Sequence, residues 1–234
     1  MQKELQFGNS TISYLLEFAE RKTLGIKVFP DKSVQVLAPD NTSVAQIEKK
    51  VRSKAPWILR QQDFFLSFHP LTPARRFVSG ETHFYLGKQY KLKLRESKSE
   101  RVKLISGKIE VFVKDKEDKK RIEFLLKKWY KQKAEFHFEA LFTKLLPISQ
   151  SFYKGNPVLK YRWMQKRWGS CDKHGGIHLN LELIKAPKSY IEYVIIHEFC
   201  HLEYLNHSAK FYNLLEKYCH NWRITKDKLE RFMV

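Results

Sequence analysis

The densest chemistry in the chain lies in His197-Glu198-Phe199-Cys200-His201, which follows the apolar run Val194-Ile195-Ile196. Residues four apart on an α-helix lie one above the other on the same face. His197 and His201 are therefore expected to aim their imidazoles at one metal ion. Glu198, one position round, is expected to hold a water without being a ligand. Two nitrogens, an open coordination position and a carboxylate base are what a zinc hydrolase requires. The five-residue pattern is short enough to arise by chance, but its setting raises it. Ile191, Tyr193, Val194, Ile195 and Ile196 suit a buried helix. Two histidines and a glutamate are costly on a buried face unless something satisfies them. Ser189-Tyr190-Ile191-Glu192 has the form of a capping box, which sets the expected helix start at Ser189.

A catalytic zinc needs a third protein ligand, and His207 is the leading candidate. The spacing His197-x3-His201-x5-His207 is that of a longer metalloprotease pattern, with Tyr204 where that pattern has Gly. The helix must end before His207 for its ring to swing back. Asn206 is the expected turning residue, because Asn tolerates left-handed angles. Ser208 then caps a second helix through Phe211, Leu214, Leu215 and Tyr218. Glu216 and Glu230 stay open as rival ligands. Donors to a tetrahedral oxyanion also stay open among Tyr204, His174, His178, Arg167 and Tyr212. Asn180 either braces the site or lies on an edge strand that pairs with an extended peptide. Arg167 and Trp168 read equally well as structural support. Gly169 is expected to permit a close approach behind the metal helix. Glu203 and Glu216 are positioned to accept a ligand histidine's second N–H.

With these residues stated, a resemblance appears. His197-Glu198-Phe199-Cys200-His201-Leu202, Asn206-His207-Ser208-x-x-Phe211 and Arg167-Trp168-Gly169-Ser170-Cys171 resemble the YgjP-like metallopeptidases, relatives of the SprT and WLM zincins. Gly176-Ile177-x-Leu179-Asn180-x-x-Leu183 with Pro187, and more weakly Gly80-Glu81-Thr82-x-x-Tyr85-Leu86-Gly87-x-x-Tyr90, extend the likeness. The resemblance implies a zincin-type fold, one Zn2+ per chain held by three histidines, and peptidase activity on a peptide or protein substrate. It names no particular substrate.

The elements that must position these groups read as an α+β chain. Alternation predicts strands over Thr11–Leu16, Thr23–Phe29 and Ser33–Ala38, with a turn at Pro30-Asp31-Lys32. A helix is expected from Ser43 toward Phe68, broken or kinked at Pro56, then a connector from His69 to Arg76. A hairpin over Thr82–Tyr85 and Gln89–Leu94 precedes strands near Val102–Ile105 and Ile109–Val113, turning at Gly107-Lys108. A long helix follows over Lys116–Leu145. Irregular or β structure from Val158 to Leu183 leads to helices over Ser189–Tyr204, Ser208–Cys219 and Thr225–Met233. The expected boundary lies within Val113–Lys120: a β-rich N-terminal region, 1–115, then a zincin-like metallopeptidase domain, 116–234. No internal repeat is visible.

The chain has 234 residues, with 44 Lys and Arg against 25 Asp and Glu, a net charge of +19. That excess favours polyanionic partners, nucleic acid first. Much of it lies between Lys98 and Lys133, where aromatics interleave with lysines. Yet Ile122, Leu125, Leu126, Trp129 and Tyr130 also fall at core-facing helical spacing, with the lysines as a solvated outer face. No apolar run approaches the roughly 20 residues of a membrane span. The first residues lack a signal-like apolar core. Three scattered cysteines argue against a disulfide framework, so the cytoplasm is the expected compartment. Three functions fit: a zinc peptidase, a peptidase recruited to nucleic acid, and a zinc-stabilised binding module. Glu198 argues against the last, since a structural site does not need that carboxylate.

Overall fold

The computed structural model describes residues 1–8, 10–29, 31–66, 75–165 and 167–232. The chain divides into two compact units, Met1–Pro73 and Ala74–Met233. In the first, β1 (Gln2–Phe7) pairs antiparallel with β2 (Ser10–Ala19), and β3 (Gly25–Val28) with β4 (Val34–Pro39). Parallel pairing of β2 with β4 joins the hairpins in the order β1-β2-β4-β3. Helix α1 (Val44–Leu66) carries Ile47, Val51, Ala55 and Ile58 at core spacing. All four are fully buried, in one cluster with Ile12, Tyr14, Leu16 and Val36. Pro56 lies inside α1 and does not end it. Strand β1 was not among the expected elements, because only Leu5 of its side chains is buried. Pro30 of the expected turn, and positions 69–74 of the expected connector, lie outside the described residues.

The second unit opens on the same plan. Strands β5 (Thr82–Tyr85), β6 (Lys88–Glu96), β7 (Arg101–Ile105) and β8 (Lys108–Val113) assemble as β5-β6-β8-β7, again two hairpins joined by a parallel central pair. A helix again follows. This four-strand-plus-helix repeat is one of topology, not of residue identity, so it left no trace in the sequence pattern.

That helix, α2 (Lys119–Gln150), has 32 residues and extends about 48 Å. Asp118 caps it by accepting from the backbone N–H of Arg121. Ile122, Leu125, Leu126, Trp129 and Tyr130 are buried, as their spacing implied. The same cluster takes in Leu92, Ile109, Val111 and Val113 from the sheet and the apolar side of the metal helix. Phe142 of α2 packs edge-on against Phe199, with ring centroids 5.2 Å apart. The expected boundary near 115 therefore falls inside the second unit. Sheet and metal helix share the buried face of α2, and the division comes earlier, between Pro73 and Ala74.

A small third sheet, ordered β10-β11-β9, is built from β9 (Val158–Arg162), β10 (Gly169–Cys171) and β11 (Gly176–Asn180). A 3-10 turn, Leu181–Lys185, leads into α3 (Lys188–Cys200), α4 (Ala209–Tyr218) and α5 (Trp222–Phe232). The expected capping box does not form. Pro187 is the N-cap of α3 without a side-chain bond, Ser189 is already helical, and Glu192 pairs with Lys144 at 2.8 Å. No helix among the described residues is long and apolar enough to cross a membrane.

The β5–β6 turn props the start of α3. Leu86 and Gly87 have φ of 49° and 78°. Their N–H groups donate to Ile184 and Lys185 carbonyls, both at 2.9 Å. A Cβ on Gly87 would lie 2.7 Å from Cγ of Pro187. Gly107, in the equivalent β7–β8 turn, has φ of 73° and open space around it. Gly107→Ala is predicted to cost about 1 kcal/mol, backbone strain alone. Gly87→Ala is predicted to cost about 2–4 kcal/mol, because the clash with Pro187 adds to that strain. Urea unfolding of both variants checks this, and equal losses would remove the prop.

Candidate metal centre

Helix α3 is buried on nearly every side, yet it ends in His197, Glu198 and, at its C-cap, His201. The chain leaves α3 through a tight turn in which the N–H groups of Glu203 and Tyr204 donate to the Cys200 carbonyl. Asn206 is not among the left-handed residues, contrary to expectation. The corner closes instead by Ser208 N–H donating to the Asn206 carbonyl at 2.9 Å. Ser208 then caps α4, its side chain accepting from the Phe211 N–H. This local folding sets His207 over α3. One ring nitrogen each of His197, His201 and His207, a set that could hold a metal ion, lie within 4.8 Å of one another. Nε2 of His207 is 3.1 Å from Nε2 of His197. Phe211, fully buried, touches all three rings at centroid distances of 5.0, 4.6 and 4.7 Å.

The electrostatics keep the nitrogens of His197 and His207 available. Burial, then the neighbouring His201 and His207, then Lys226, push His197 down to about 3. Burial lowers His207 as well. His201 donates from Nδ1 to the backbone carbonyl of Tyr204 at 2.9 Å, leaving Nε2 free for the triad. The support expected from Glu203 or Glu216 thus comes from a main-chain oxygen. Glu203 is exposed, and Glu216 accepts from Trp222 Nε1 at 3.0 Å and Arg223 at 2.7 Å. Nδ1 of His197 is buried without a partner. Three imidazoles this close, with burial lowering the pKa of His197 and His207, fit a borderline-soft cation such as Zn2+.

Glu198 lies beside the triad, 5% exposed, with Oε2 buried and unpartnered. Burial pushes its carboxyl up to about 8, opposed in part by Arg167. Gly169 on β10 meets this side chain: a Cβ there would lie 2.5 Å from Oε1 and 2.8 Å from Cγ. Asn180 holds the segment that delivers Gly169. Its amide donates to the carbonyls of Met164 and Arg167 at 2.9 and 3.0 Å. Its Oδ1 accepts from the N–H groups of Met164 and Glu182 at 3.2 and 3.1 Å. With every donor and acceptor engaged and 1% exposure, Asn180 is a brace. It sits at the end of the central strand β11, so the edge strand beside the site is β10.

A cavity of about 560 Å³ opens over the triad. Of the expected oxyanion donors, Arg167 and Tyr212 line it, whereas Tyr204, His174 and His178 do not. His178 bonds Asp172 at 3.1 Å, and His174 is exposed on the β10–β11 turn. The far wall is α5, whose Trp222, Lys226 and Glu230 recur every four residues on one face. That spacing was readable in the sequence, yet of the three only Glu230 had been considered, and as a ligand. Glu230 lines the cavity outside the histidine cluster, and burial raises its pKa.

Gly169→Ala is predicted to displace Glu198 while leaving the three histidines in place. Bound metal, measured by elemental analysis, should stay at wild-type stoichiometry while any hydrolytic turnover falls at least tenfold. Wild-type turnover would show that the close approach does not hold Glu198.

Two solved structures resemble parts of the chain, both described as metallopeptidase zymogens. One is abylysin of Pyrococcus abyssi, 22% identical with a TM-score of 0.36 over 39% of this chain and 90% of that one. The other is jannalysin of Methanocaldococcus jannaschii, 18% identical with a TM-score of 0.37 over 42% of this chain and 97% of that one. No curated protein matches the sequence. The profile of the YgjP-like metallopeptidase domain matches residues 22–232. The chain belongs to the YgjP-like metallopeptidase family and is a metallopeptidase.

Proposed function

We propose that the protein hydrolyses peptide bonds with a zincin-like site in which His197, His201 and His207 hold one Zn2+ and Glu198 is the general base. The observation that carries this is the convergence of three imidazoles beside a buried carboxyl with a free oxygen, open to a cavity of about 560 Å³. When bound, the ion supplies Lewis-acid polarisation of the scissile carbonyl and lowers the pKa of a coordinated water toward neutrality.

The chain's own groups do the rest. A peptide lies in the cavity between β10 and α5. Glu198 takes the proton of the attacking water and passes it to the leaving amine. Its burial and unpartnered Oε2 suit this double duty, because no protein group competes for the proton it accepts and returns. Arg167 and Tyr212, the two cavity-lining members of the expected donor set, supply hydrogen-bond donors to the developing oxyanion. Gly169 leaves room for Glu198, and the Tyr204 carbonyl fixes the His201 ring. The three cysteines are all free, which supports a reducing, cytoplasmic setting.

Elemental analysis of tag-free protein tests the reading. About one zinc per chain is expected in the wild type, and none in a His197→Ala/His201→Ala double variant. Glu198→Gln should keep the metal and lose turnover by at least a thousandfold. Chelation should abolish activity, and Zn2+ should restore it. A folded wild type without stoichiometric metal would overturn the proposal, and so would an active Glu198→Gln.

A further inference from the structure

The second sheet carries a charge pattern that peptide hydrolysis does not use. Its inner face gives Leu92, Ile109, Val111 and Val113 to the core it shares with α2. Side chains alternate along a strand. The register therefore gathers Lys91, Lys93 and Arg95 of β6, Lys108 of β8, and Lys103 and Arg101 of β7 on the outer face. Five of these six cations are exposed and Lys93 is half-buried. Lys91 stands directly opposite Lys108, an arrangement that destabilises a sheet. One carboxylate lies among them, Glu110, and Arg95 already grips it at 2.5 and 3.2 Å. The Arg101 guanidinium lies 4.0 Å over the ring of Phe112 and forms a flat cationic plate.

The first unit supplies a control. Its sheet has the same strand order, and its outer face pairs Glu4 with Ser13 and Glu17 with Gln35 around one cation, Lys27. The chain's net charge of +19 is thus not spread evenly over two matched surfaces.

We propose that the outer face of the β5–β8 sheet docks single-stranded nucleic acid. Same-face residues recur about every 6.7 Å along a strand and neighbouring strands lie about 4.8 Å apart, so the cations form a grid for a flexible chain of phosphates. The Arg101–Phe112 plate offers a surface on which a base stacks. A duplex fits less well, because its grooves admit a helix or a two-stranded ribbon and a broad sheet meets only one backbone. An acidic polypeptide brings charge but no base to stack.

Binding of a labelled 20-nucleotide oligo-dT to the whole chain, followed by fluorescence anisotropy, tests this independently of any peptidase activity. Lys91→Gln/Lys93→Gln/Lys103→Gln should weaken binding at least tenfold. It should also make the salt dependence shallower by about 2 in log–log slope, at about 0.7 per lost phosphate contact. A second triple variant, Lys120→Gln/Lys128→Gln/Lys131→Gln, removes the same charge from the exposed side of α2 and should weaken binding less than threefold. Thermal melts confirm that both fold. Equal losses from the two variants would overturn the proposal, as would no measurable binding by wild type at 50 mM salt. Tighter binding of a 20-base-pair duplex, or equal competition by poly-glutamate, would also overturn it.

Discussion

A buried carboxyl, Glu198, and the half-buried ring of His197 beside it must be held at the end of a helix whose other faces are core. Water would ordinarily solvate these groups, and the surrounding protein largely denies it. Ionising Glu198 where it stands costs on the order of 5 kcal/mol more than in water. Protonating His197 is penalised in the same sense, since burial and two neighbouring rings hold it neutral. A cation held by the triad, as proposed, offsets the first penalty and uses the second, because it stabilises the carboxylate and requires unprotonated nitrogens.

Much of the remaining structure exists to keep that arrangement from relaxing. Phe211 packs against all three rings and backs the cluster from one side. Asn180 gives three of its four side-chain hydrogen bonds to the segment before β10, which fixes how closely Gly169 approaches Glu198. The β5–β6 turn bonds the 3-10 segment and abuts Pro187, so a hairpin of the larger sheet sets where α3 begins. Helix α2 ties sheet and metal helix into one core. Changes in the sheet therefore reach the site through packing and not through a hinge.

The histidine cluster was legible because its logic is local: residue type and spacing alone bring His197, His201 and His207 together beside Glu198. Ser208 as a cap and the buried stripe of α2 were legible for the same reason. What was hidden used the main chain or long-range sharing. The support for His201 is the Tyr204 carbonyl, and every residue type has a carbonyl. The corner closed through ordinary turns, so Asn206 gave a false signal. The domain boundary was misplaced because α2 buries one continuous face against two partners, and a pattern that marks a core does not say whose core it is. The wall of the cavity formed by α5 was readable as an i, i+4 face, but only once α5 was known to pack beside α3.

The repeated topology sharpens what the surface charges mean. Two sheets with one strand order and one helix connection meet the same folding constraints: an apolar inner face, an alternating outer face and a parallel central pair. Those constraints fix nothing about the charge of the outer face. In the first unit that face is satisfied internally, with side-chain pairs such as Gln35 to Glu17 at 2.7 Å. In the second, Lys91 faces Lys108 across the central pair, and six cations share the face with one carboxylate, Glu110. The charge of the outer face is thus a feature that the shared folding constraints do not demand, which is why the proposed docking surface is sought there.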